Sequence, residues 1–61
     1  MTNTIELQSA VLFDDKSAVM AFIKNGWLEK VADGKTKDES FCRYTPKGME
    51  FKRVISRFEA N

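Results

Sequence analysis

Residues 22–51 decide the fold of this chain; they read FIKNGWLEKV (22–31), ADGKTKDES (32–40) and FCRYTPKGMEF (41–51). Gly26 is typical of a helix end, because glycine takes the left-handed cap conformation without steric cost, and we expect a positive φ there. Trp27 follows as the first residue of a strand, and Asp33-Gly34 opens a turn. The stretch therefore predicts a helix end and a hairpin, with strands over 27–32 and 41–44.

Two helices are predicted on either side of this hairpin. Asp14 or Asp15 can cap a helix over 15–25, whose apolar stripe is Ala18, Val19, Phe22 and Ile23. After the hairpin, Thr45 is a helix cap and Pro46 suits the first helical position. The spacing of Phe51, Val54, Ile55 and Phe58 then predicts a second helix, over 46–59, with one face on the core.

The segment 4–13 fits two structures. Ile5, Leu7, Val11 and Phe13 alternate as in a strand, whereas Glu6, Leu7, Gln8 and Ala10 favour a helix. The fold class is therefore α+β, in the order helix (or strand), helix, strand, strand, helix. We expect one domain over residues 1–61. Its predicted core is Leu7, Val19, Phe22, Ile23, Trp27, Leu28, Phe51, Val54, Ile55 and Phe58.

Composition limits the chemistry. The 61 residues include one cysteine and no histidine, so neither an internal disulfide nor a zinc site of the usual kind can form. We read Cys42 as a buried, reduced thiol. Because no nucleophile is paired with a base at a recognisable spacing, we expect no enzyme activity, no metal and no cofactor. The chain has neither a long apolar run nor a signal-like start, which predicts a cytoplasmic protein.

The charge is distributed unevenly along the chain. Residues 1–23 hold one lysine and three acids, whereas residues 24–61 hold nine Lys and Arg against six Asp and Glu. The basic half contains the hairpin and the last helix. A mild basic tilt of this kind is compatible with nucleic acid or with protein as a partner.

The order of these features resembles the C-terminal half of winged helix-turn-helix domains, especially MarR- and PadR-like regulators. The resemblance is carried by the helix ending at Gly26-Trp27, the charged hairpin and Tyr44-Thr-Pro-Lys-Gly48, over half to two-thirds of the chain. It implies a winged-helix-like domain in which 4–13 is the first helix of the helix-turn-helix. It also implies a small DNA-binding transcription regulator of phage or mobile-element type.

In such a domain, the helix over 15–25 enters the major groove and the hairpin is the wing. The nucleic-acid-binding residues implied here are Lys16, Ser17, Met20, Lys24, Lys35, Lys37 and Arg43. The alternative is a protein-interaction module that inhibits or modulates a partner without binding nucleic acid. Its contact residues would be Met49, Arg53, Val54, Arg57 and Phe58, and self-association through them would give a homodimer. For Trp27 itself there are two alternatives. We expect it to pack on the core, but an exposed Trp27 could stack on a base or anchor a partner.

Overall fold

The structure, a computed structural model, describes residues 9–60 and confirms an α+β domain. Its elements in chain order are β1 (Val11–Phe13), α1 (Lys16–Lys24), β2 (Leu28–Asp33), β3 (Ser40–Tyr44), α2 (Pro46–Glu50), α3 (Lys52–Ile55) and a 3-10 turn (Ser56–Phe58). The three strands form one antiparallel sheet in the order β1-β3-β2. Both α1 and the C-terminal helices pack on one face of this sheet, where the core lies.

Helix α1 has a complete set of end signals. The Asp15 carboxylate accepts a hydrogen bond from the Ala18 amide at 3.1 Å, as expected of a helix cap. At the other end, Gly26 has φ of 78°, so the prediction of positive φ is confirmed. The amides of Gly26 and Trp27 donate to the carbonyls of Ile23 and Phe22, which is the Schellman arrangement. The Trp27 ring then packs on Phe22, with ring centroids 5.7 Å apart.

The junction between α1 and α2 depends on Thr45. Its hydroxyl accepts a hydrogen bond from the Gly48 amide at 2.9 Å, so it caps α2 as predicted. The same hydroxyl lies 2.6 Å from the Gly26 carbonyl oxygen, to which it donates. The Thr45 amide donates to the Trp27 carbonyl. One side chain thus joins the end of the first helix to the start of the second, and the two motifs at 26–27 and 45–48 form a single structural unit.

The segment before α1 is a strand where it is described. Residues Val11–Phe13 pair with β3 in the register Val11↔Cys42 and Phe13↔Ser40, so the helix implied by the winged-helix resemblance is not formed there. Residues 4–8 of that prediction lie outside the described part of the chain. β-branched Val11 and aromatic Phe13 decide the outcome because both side chains fit a sheet face that packs on the core. The strand alternative is therefore correct for Val11–Phe13.

The prediction of one continuous helix over 46–59 was wrong. Phe51 has φ of −110° and ψ of 14°, and it separates α2 from α3. Its ring stacks on Trp27 at 4.7 Å, a tertiary contact that helical periodicity does not reveal. The chain becomes extended at Glu59, which bridges Phe13, and the Ala60 amide donates to the Leu12 carbonyl. The 3-10 turn ends at Phe58, one residue before the predicted limit, and the edge of β1 takes Glu59 and Ala60 as partners.

The core differs from the predicted one at several positions. The buried apolar residues are Phe13, Val19, Phe22, Leu28, Cys42 and Ile55, with Trp27 and Phe58 packed against them. Ile23, Phe51 and Val54 were wrongly assigned to the core and are exposed; Leu7 lies outside the described residues. Ile23 is about 100° around the helix from Phe22, which places it at the margin of the buried stripe. Phe13 and Cys42 replace these side chains because the sheet contributes more of the core than the periodicity indicated.

Candidate functional surfaces

The exposed side of α1 carries four of the residues assigned to nucleic acid. Lys16, Met20 and Lys24 are spaced four residues apart, so they form one stripe, and all three are exposed. Ser17 is exposed beside this stripe. Neither lysine forms an ion pair with a described residue. The stripe can therefore offer two uncompensated positive charges and one flexible apolar contact to a partner.

The hairpin loop, residues 34–39, holds Lys35 and Lys37 in exposed positions. Glu39 organises this loop, because its carboxylate accepts hydrogen bonds from the amides of Lys35 at 2.9 Å and Thr36 at 3.3 Å. Its backbone closes the same turn through Gly34 and Thr36. One oxygen of the Glu39 carboxylate is thus hydrogen-bonded to backbone amides. The two lysine side chains make no ion pair within the described part of the chain.

Two further acidic groups of the hairpin also have partners. Asp33 forms an ion pair with Lys30 on the same strand. The hydrogen bond and the positive charge of Lys30 lower the pKa of Asp33 below its ordinary value. Glu29 lies opposite Arg43 on β3, and its Oε1 accepts a hydrogen bond from the Arg43 guanidinium at 3.0 Å.

Arg43 is separated from the other residues assigned to nucleic acid. It alternates with Cys42 and Tyr44 along β3, and Cys42 faces the core that α1 covers. Arg43 therefore lies on the opposite face of the sheet from α1. Because its guanidinium already has a carboxylate partner, we do not include it in a common surface with Lys16 and Lys24.

The residues assigned to protein contact lie on α2, α3 and the following turn. Met49 and Val54 are 55% and 52% exposed, and the charged side chains near them in sequence are exposed too. Phe58 is half-buried and meets Phe22 edge-on at 5.4 Å, so it contributes to the core more than to a surface. Phe51 was missed as a surface residue and is 37% exposed. We call the following residues the C-terminal surface: Lys47, Met49, Phe51, Lys52, Arg53, Val54 and Arg57.

Cys42 is fully buried, and no disulfide involves it. Burial raises the pKa of its thiol, and the nearby positive charge of Lys30 offsets only part of that effect. The thiol is thus kept protonated and away from solvent, as the sequence predicted for an inert side chain.

An open groove on the other face of the sheet was not predicted from the sequence. It is lined by Leu12, Asp33, Gly34, Lys35, Glu39 and Phe41. Leu12 and Phe41 are register partners on neighbouring strands and form an apolar floor beside the hairpin loop. The alternation of Phe41 with Cys42 was the signal that placed this ring away from the core.

Within residues 9–60, no helix is long and apolar enough to cross a membrane. No protein-family model, curated protein or solved structure matches the chain at a significant level. The resemblance to winged-helix domains stays a prediction.

Proposed function

We propose that this domain is a small cytoplasmic nucleic-acid-binding regulatory protein of winged-helix type, which contacts duplex DNA with α1 and the hairpin loop. The charge arrangement of the hairpin is the observation that carries the proposal. Lys35 and Lys37 have no ionic partner among the described residues, whereas one carboxylate oxygen of Glu39 accepts two hydrogen bonds from the loop backbone. Asp33 and Glu39 therefore compete less for phosphates than the sequence alone suggested, and exposed Asp38 is the acid of the loop that still opposes them.

The α1 stripe supplies the second half of the proposed interface. Lys16 and Lys24 would reach phosphates on either side of a groove, since they stand two helical turns apart. Met20 lies between them and can touch a thymine methyl group. Among residues 9–60, Asn25 is the one residue with a side-chain amide, and one N–H of its Nδ2 donates to the Ala21 carbonyl at 2.8 Å.

This set of side chains favours contact with the phosphate backbone of DNA over sequence-specific recognition of its bases. Bidentate recognition of a base edge needs Arg, Asn or Gln with free donors, and the α1 stripe holds none. We therefore expect binding that depends strongly on salt and weakly on DNA sequence.

A salt titration of DNA affinity tests the proposal. Fluorescence anisotropy with a labelled duplex should give an affinity that falls steeply as salt rises, because each neutralised phosphate releases counterions. Lys35→Ala/Lys37→Ala should lower the slope of log K against log salt by about two. A matched control, Lys47→Ala/Arg57→Ala, removes the same charge from the C-terminal helices and should leave the slope unchanged.

The possible results lead to separate conclusions. No binding at low salt, or an affinity indifferent to salt, rejects the nucleic-acid function. A slope that survives Lys35→Ala/Lys37→Ala but falls in the control variant places the interface on the C-terminal helices instead.

A further inference from the structure

The C-terminal surface combines exposed apolar side chains with an excess of positive charge. Met49, Phe51 and Val54 are all more than a third exposed. Phe51 and Val54 are one turn apart, and the Val54 amide donates to the Phe51 carbonyl at 3.0 Å. Large apolar side chains at helical spacing on a surface mark contact sites more often than isolated ones do.

The charges of this surface are unbalanced. Between residues 46 and 58 there are four cations, Lys47, Lys52, Arg53 and Arg57, and one acid, Glu50. None of the four forms an ion pair with a described residue, although Lys52 lies over the Tyr44 ring with its Nζ 5.5 Å from the centroid. An occupant of this surface must therefore offer apolar groups and negative charge together.

We propose that the C-terminal surface docks an acidic amphipathic helix of a partner protein. Apolar side chains at i, i+3 and i+4 of that helix would pack on Phe51, Val54 and the adaptable Met49. Acidic side chains beside them would meet the cations at the rim. The proposal does not rest on DNA binding, because it uses neither α1 nor the hairpin loop.

Two other occupants fit less well. In a two-fold homodimer the same patch faces itself, so the cationic rim of one copy would meet the cationic rim of the other. A single-stranded nucleic acid would use aromatic faces, but Trp27 covers one face of the Phe51 ring, and Met49 and Val54 offer aliphatic area that bases do not use.

The single tryptophan gives a direct readout. Trp27 stacks on Phe51, so its fluorescence should change when the surface is occupied. The probe is a peptide of about four helical turns with leucines on one face and glutamates on the other. It should bind the full chain and shift the Trp27 emission. A peptide of the same composition in scrambled order, and one with lysine in place of glutamate, should bind about tenfold more weakly.

Charge reversal makes the test specific. Both positions changed in Arg53→Glu/Arg57→Glu are exposed, so the variant should keep the fold. Its affinity for the glutamate peptide should fall about tenfold, and its affinity for the lysine peptide should rise. Val54→Glu should weaken binding of the glutamate peptide similarly. Lys35→Ala/Lys37→Ala should leave peptide binding unchanged, which separates this site from the proposed DNA surface.

Three results would overturn the proposal. The first is equal binding of all three peptides, or none. The second is a concentration-dependent dimer in sedimentation that Val54→Glu abolishes, which would assign the surface to a second copy. The third is a shift of Trp27 emission by an oligothymidine but not by the glutamate peptide.

Discussion

Gly26 and Gly48 lie at one junction, and each is required for a different physical reason. A Cβ built on Gly26 would meet only the Cδ of Lys47, at 4.0 Å, so space is not the constraint; the φ of 78° is. A Cβ on Gly48 would lie 1.8 Å from the Trp27 carbonyl oxygen, so there the constraint is contact with backbone. The two motifs meet at this junction for two reasons. Gly26 lets the chain turn at the end of α1, and Gly48 lets α2 lie close to the Trp27 backbone.

We expect Gly26→Val to reduce the free energy of unfolding by about 1–3 kcal/mol, because a β-branched residue adopts positive φ poorly. Gly26→Asn is the matched control, since asparagine tolerates this conformation, and it should cost clearly less. Urea denaturation of the three proteins measures both effects. Equal stability of the valine and asparagine variants would show that backbone conformation at this position does not limit stability.

At the scale of elements, α1 contacts the rest of the domain through one face only. Val19 and Phe22 are buried, whereas Met20 is 60% exposed on the same helix. Phe22 also contacts two other rings, Trp27 and Phe58, and so connects α1 to the C-terminal segment. The helix therefore depends on Phe22 more than on any residue of its exposed stripe.

Phe22→Ala should lower the free energy of unfolding by about 3–5 kcal/mol, since it leaves a cavity beside Trp27 and Phe58. Met20→Ala should change stability by less than about 0.5 kcal/mol, as is usual for exposed positions. Thermal or urea unfolding followed by circular dichroism compares the two. An unchanged transition for Phe22→Ala, or a loss of similar size for Met20→Ala, would mean that the buried face of α1 is misassigned.

The elements that the sequence predicted well are those with local signals. The ends of α1 are specified by Asp15 and Gly26, the hairpin by its turn residues and the start of α2 by Thr45-Pro46, all within a few residues. The strand at Val11–Phe13 depends on pairing with a distant partner, and the break at Phe51 depends on stacking with Trp27. The alternation of Val11 and Phe13 indicated a strand but not its partner, and no spacing in the sequence indicated the stacking of Phe51 on Trp27.

The candidate sites divide along the same line. Exposure of Lys16, Met20 and Lys24 follows from helical spacing and was predictable. The pairing of the acids was not predictable, because the hydrogen bonds that Glu39 accepts from the backbone form only in the folded loop. Arg43 was grouped with the lysines through the winged-helix resemblance, and strand alternation places it on the face of the sheet opposite α1.

Over the whole molecule, the small size concentrates stability in few contacts. A domain of this length buries only about 60% of its unfolded surface, so each core group is a large share of the total. Cys42 lies on the central strand, in register with Val11 on one side and Lys30 on the other. It shares its core cluster with residues of α1 and α3. A change in its protonation therefore affects the stability of the entire domain.

We expect the free energy of unfolding to fall as pH rises above about 9, the ordinary thiol pKa. Because burial raises the pKa of Cys42 in the folded chain, the unfolded chain loses its thiol proton first and is favoured at alkaline pH. The loss of unfolding free energy begins at the thiol pKa of the unfolded chain and is complete once pH passes the thiol pKa of the folded chain. Its slope cannot exceed about 1.4 kcal/mol per pH unit for one proton.

Cys42→Ala is the control, because it keeps the site apolar and removes the titrating group. Urea unfolding across about pH 8–10 should show a shallower decline for Cys42→Ala than for the unmodified chain. Parallel declines in the two proteins would assign the alkaline loss to other groups and contradict the role of the buried thiol.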